Sequence, residues 1–76
     1  MLSAEECHAK RNELNAMARK ARKAGDEALE SRCRILAQNL RLMATDNAYF
    51  IRERAAAMYE KNKFRFERDM ARTVGA

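Results

Sequence analysis

Apolar side chains recur at Leu29, Cys33, Leu36, Leu40 and Met43, and polar or charged residues fill most positions between them. Steps of four, three, four and three residues keep one side of a helix in line at about 3.6 residues per turn, so the middle of the chain reads as an amphipathic helix. The reading extends in both directions. No proline interrupts the chain, and glycine occurs only at Gly25 and Gly75.

Ser3-Ala4-Glu5-Glu6 fits a capping box, in which the serine hydroxyl accepts from a first-turn amide and Glu6 reaches back to the Ser3 amide. A first helix then spans about 3–24, with Cys7, Leu14, Met17, Ala18 and Ala21 on its inward face. Gly25 suits the left-handed conformation common just past a helix end. Asp26 follows as an N-cap for a second helix over about 26–44, with Glu27 and Glu30 in its first turns. So short a connection makes the two helices antiparallel neighbours.

The apolar phase shifts at Thr45-Asp46-Asn47, which also offers N-cap chemistry. Beyond it the best stripe is Ala48, Ile51, Ala55, Met58, Asn62, Phe66 and Met70, giving a third helix over about 46–72. The expected fold class is therefore all-α: one domain over residues 1–76, a small three-helix bundle made of an antiparallel hairpin and a longer third helix. The alternative is a hairpin whose second helix runs unbroken over about 26–72. Such a rod, about 70 Å long at ~1.5 Å per residue, would leave half its length without an intrachain partner and would dimerise.

All five aromatics, Tyr49, Phe50, Tyr59, Phe64 and Phe66, fall in the third helix. Phe64 and Phe66 stand about 200° apart around a helix, so a narrow face cannot bury both. Phe66 belongs with Ile51, Ala55 and Met58. Phe64 belongs with Phe50 and Ala57 on a second stripe flanked by Arg54, Lys61 and Arg68. Either this helix touches both others through a wide apolar face, or the second stripe is an exposed aromatic-basic strip that docks a partner or a second copy.

Composition weakens the core. Fifteen of the 76 residues are alanine, which favours helix but adds little burial. A domain this small is marginal alone, so association with a partner or a second copy is the expected source of further burial. The formal net charge is +5 and the pI is near 9.7. Acidic residues are interspersed, so the excess permits attraction to nucleic acid or to acidic protein surfaces without requiring it.

Cys7 and Cys33 lie on core stripes but at different levels of the hairpin, which reads as two buried free thiols. His8 points about 100° away from Cys7, and no set of ligands has zinc-like spacing, so no metal and no cofactor is expected. Paired catalytic carboxylates, a nucleophile with its base and a phosphate-cradling loop are all missing, so the chain does not read as an enzyme. Most acidic residues are assigned to helix starts or to ion pairs such as Glu6–Lys10 and Glu30–Arg34. No targeting or membrane-spanning pattern is visible, and a soluble, cytoplasmic protein with no membrane partner is expected. Ala-Gly-Asp between helices suits a tetratricopeptide repeat, but the rest of that pattern is missing.

Function is then expected to be binding. The leading expectation is a protein-interaction module, acting as regulator, adaptor or inhibitor, that covers an acidic or apolar patch of a larger protein. Phe50 and Phe64 would be its anchors, and Arg54, Lys61 and Arg68 its charged rim. The alternative is nucleic-acid binding through Arg19, Lys20, Arg22 and Lys23 with Lys61, Lys63, Arg65, Arg68 and Arg72. The first cluster has a second explanation, since cations at a helix C-terminus complement the helix dipole. A homo-oligomer paired through the Phe50/Ala57/Phe64 strip is the third expectation.

Overall fold

A computed structural model gives the architecture. It describes the backbone of residues 2–45 and 49–75 and the side chains of residues 2–44 and 51–71. The described residues form three helices, α1 (Ala4–Lys23), α2 (Glu27–Thr45) and α3 (Tyr49–Gly75). This is the small all-α three-helix bundle that the spacing predicts. α3 continues past residue 72, while the expected break at Asp46 and Asn47, and Ala48 of the expected stripe, lie outside the described residues.

α1 begins in the capping box. The Glu6 N–H donates to the Ser3 hydroxyl at 3.1 Å, and the Ser3 N–H donates to the Glu6 carboxylate at 3.2 Å. These bonds, assisted by the charge of Lys10, hold the Glu6 carboxyl below its ordinary range. The helix ends with Gly25 at φ +77°. There the Gly25 N–H donates to the Arg22 carbonyl at 3.1 Å and the Asp26 N–H to the Ala21 carbonyl at 2.9 Å, the two bonds of a Schellman cap. Asp26 also starts α2, because its carboxylate accepts from the Leu29 N–H at 3.0 Å. The residue that closes one helix thus opens the next, which folds α2 back along α1.

α3 then lies along α2 rather than extending it. The Asn62 amide donates to the Asn39 amide oxygen at 3.0 Å, and Arg32 forms an ion pair with Asp69. Seven residues forward along α2 match seven residues back along α3, so this pair is antiparallel and in register over two turns. That pairing overturns the alternative of one continuous helix over 26–72, whose two halves could not meet side by side. On the other side, Arg34 donates to the Asn15 amide oxygen at 3.2 Å across the α1–α2 seam.

The two seams differ in chemistry. Cys7, Leu14, Ala18 and Ala21 of α1 are buried, as are Cys33, Leu36, Ala37, Leu40 and Met43 of α2, while Met17 and Leu29 are half-buried. Ala18, Ala21, Cys33 and Ala37 are small, and two helices faced with such side chains can approach closely. The α2–α3 seam relies on larger groups, Tyr59 and the half-buried Phe66, with Ala55 one turn before Tyr59. α2 packs against both neighbours, whereas no described α-carbons of α1 and α3 come within 8 Å of each other. The central helix is therefore α2, and not the third helix as a wide apolar face on that helix would require.

Leu40 is fully buried, so Leu40→Ala removes a side chain from the middle of the bundle and is expected to cost about 2–5 kcal/mol. Gly25→Ala meets no neighbour within 4 Å, yet it forces a side chain into left-handed backbone and should cost about 1–2 kcal/mol. Urea unfolding followed by circular dichroism checks both magnitudes and their order.

Candidate interaction surfaces

The surface of α3 follows from which of its sides the other helices cover. Ala55 and Tyr59 are buried, Asn62 and Phe66 half-buried, and these positions repeat in steps of four, three and four. Met58, expected on this stripe, is instead 48% exposed, while Tyr59 is only 5% exposed. Tyr59 lies toward one edge of the row facing α2 and Met58 beyond its other edge, and α1 covers only the Tyr59 side. There Leu14 shares a cleft with Leu36, Tyr59 and Phe66. On the Met58 side no helix lies opposite.

Phe64 stands nearly opposite the buried row, at about 100° per residue, and is 68% exposed. Arg54, Ala57, Lys61 and Arg68 are exposed on the same side of the helix. The aromatic-basic strip is thus presented to solvent over about four turns, from Arg54 to Arg68. Phe50, its expected second anchor, lies outside the described side chains, as does Arg72. The bundle buries Phe66 in part and leaves Phe64 out, which settles the two-stripe question in favour of an exposed strip.

Next to this strip, between α2 and α3, lies an open groove of about 500 Å³ lined by Arg32, Ile35, Phe66, Arg65 and Arg68. Ile35 is 48% exposed in it. Asp69 holds Arg32 directly and lies 3.8 Å from Arg68. The strip and the groove meet at Arg68, so the outer half of α3 combines exposed apolar groups with guanidinium groups, and Glu53, Glu60 and Glu67 are exposed on the same half.

The basic residues grouped in sequence disperse in space. Arg19, Lys20, Arg22 and Lys23 are all exposed at the end of α1, three of them in its last turn. Lys61 and Arg68 stand on the outer strip, and Arg65 faces the α2–α3 groove. Lys63 turns the other way, into the α1–α3 cleft with Lys10, Glu13 and Glu67, where charges of both signs mix. The four-residue run Lys63–Phe66 therefore does not make one binding face.

Local ion pairing also departs from expectation. Arg34 reaches Asn15 rather than Glu30, because the antiparallel seam brings an amide oxygen within reach of its guanidinium. Lys10 influences Glu6 through its charge, but the carboxylate is engaged by Ser3 and no ion pair within 4 Å joins the two among the described residues.

Among the described residues, the buried titratable groups are two thiols and a phenol. Cys7 and Cys33 are free and buried, and burial pushes both thiols above their ordinary range. Desolvation likewise raises the Tyr59 hydroxyl. His8 is exposed, and the described residues contain no group of three or more His, Cys, Asp or Glu able to hold a metal ion. No described helix is long and apolar enough to cross a membrane.

The chain matches no protein-family model, and no curated protein or solved structure matches it significantly.

The raised thiols and phenol have a consequence for stability. The folded chain holds these three protons more tightly than the unfolded chain does, so their contribution is intact below about pH 8.5, the ordinary thiol value. It is lost as the pH climbs through the folded-state values. The urea midpoint is expected to be level through neutral pH and to fall above about pH 9. Cys7 and Cys33 should react with a thiol reagent only as fast as the bundle opens.

Proposed function

We propose that this chain is a non-catalytic, cytoplasmic protein-interaction module, acting as a regulator, adaptor or inhibitor of a larger protein through the outer side of α3. The observation that carries this reading is Phe64, 68% exposed beside Arg54, Lys61 and Arg68 on the outer side of α3. Burying such a side chain stabilises an assembly by about 1.5–3 kcal/mol, and nothing in the bundle's own packing uses it. Aromatic anchors rimmed by arginine are what protein interfaces concentrate. The partner surface is apolar where it meets Phe64 and acidic where it meets Arg54, Lys61 and Arg68. Phe50 would add a second anchor one end of the strip away.

Self-pairing through the same strip is the weaker form of this reading, because it would bring Arg54, Lys61 and Arg68 against their own counterparts. Nucleic-acid binding keeps one observation in its favour at the sites expected from sequence, the solvent-facing cations at the end of α1.

Phe64→Ala and Lys61→Glu test the proposal. Both positions are exposed, so the unfolding free energy from urea titration should change by no more than about 0.5 kcal/mol. Partner binding should weaken by about 2 kcal/mol for the phenylalanine, and the acidic substitution should lose affinity most at low salt. Association measured by co-purification and then by titration of the isolated partner decides it. Variants that fold and bind as the parent does would remove the assignment. A parent chain that is dimeric by light scattering, and monomeric as Phe64→Ala, would transfer the strip to self-association.

A further inference from the structure

Arg11, Arg34 and Arg41 are scattered in sequence, and only the antiparallel register of α1 and α2 collects them. They line one groove of about 310 Å³ with Asn15, Ala37 and Gln38, and none of its described lining comes from α3. The Arg34 guanidinium donates to the Asn15 amide oxygen and the Arg41 Nε–H to the Gln38 amide oxygen, each at 3.2 Å. The bond to the Asn15 amide oxygen orients the Arg34 guanidinium without cancelling its charge. Among the described residues no carboxylate lines this groove, and neither Arg11 nor Arg34 forms an ion pair. The α2–α3 groove differs on this point, since Asp69 there engages Arg32.

We propose that the α1–α2 groove binds the phosphate backbone of double-stranded nucleic acid without reading its sequence. The lining selects the ligand class. Among the described residues lining it, Ala37 is the only apolar side chain, so that lining lacks the buried anchor that a protein partner requires. Phosphate contacts need only cations and polar donors. No described residue lining the groove is aromatic, so the described lining offers no ring on which the unpaired bases of a single strand could stack. This surface shares no residue with the Phe64 strip, so a chain occupied on α3 by a protein remains free to hold a duplex on α1 and α2.

The experiment is a fluorescence-anisotropy titration of a short labelled DNA duplex at several salt concentrations between about 50 and 200 mM. Parent, R11Q, R34Q and R11Q/R34Q are compared, with K20Q/K23Q as a variant of equal charge change outside the groove. A single strand of the same length and heparin serve as competing polyanions. Each groove substitution should lower the slope of log affinity against log salt by about 0.9, and R11Q/R34Q should bind about tenfold more weakly at the lowest salt. F64A should bind the duplex as the parent does, which separates this site from the α3 reading. Circular dichroism confirms that each variant keeps its helices. An unchanged slope in R11Q/R34Q, or an equal loss in K20Q/K23Q, overturns the site. Preference for the single strand or for heparin overturns the ligand class.

Discussion

α2 has to be covered from two directions. Its buried positions form a wide band from Cys33 and Ala37 on one flank, through Leu36 and Leu40, to Asn39 and Met43 on the other, and one neighbouring helix can cover only part of it. α1 takes the flank of small residues and α3 takes the flank that includes Asn39. This demand places the longest helix at the edge of the bundle, where a single neighbour covers its backbone and most of its circumference faces outward. The exposed strip on α3, the groove beside it and the arginine groove on the far side of α2 all follow from that arrangement. They are the parts of the surface that a three-helix solution with α2 in the centre leaves over.

The polar pair at the α2–α3 seam gives that arrangement its register. Asn39 is largely buried, and an unpaired amide there would carry the full desolvation cost. Its bond to Asn62 removes that cost at one alignment. A slip of one turn would separate the two amides and break the Arg32–Asp69 pair together with them. Polar groups buried in helical seams are known to fix alignment in this way at some expense of stability.

Much of the hairpin was legible in the sequence because its signals are local. The Ser3–Glu6 box, Gly25 and Asp26 act within a few residues of themselves, and the Leu29–Met43 stripe has only one helical reading. The third helix was legible in existence and rough extent, and in the separation of Phe64 from Phe66. What could not be read was which flank of its apolar row would be covered. Met58 and Tyr59 are neighbours straddling that row, and hydropathy favours the methionine inside. The outcome was decided by where α1 sits, a fact of packing that no local pattern contains. The same holds for the charges. Runs such as Arg19–Lys23 stand out in sequence, whereas Arg11, Arg34 and Arg41 carry no mark there because their grouping depends on two helices lying in register. Arg34 illustrates the point: a helix alone offers it Glu30, but the folded seam offers it Asn15.

The junction at Asp26 also bears on the order in which the chain acquires structure. One residue completes the cap of α1 and begins α2, so forming either helix end positions the other, and the contacts that follow are close in sequence. Contacts of that kind close small loops and are kinetically inexpensive. The hairpin is thus the natural first unit to form, with α3 added to a surface already in place. Run in reverse, the same hierarchy makes release of α3 the opening that asks least of the rest of the chain. The helix bearing the exposed aromatic strip is also the one the bundle can most readily let go.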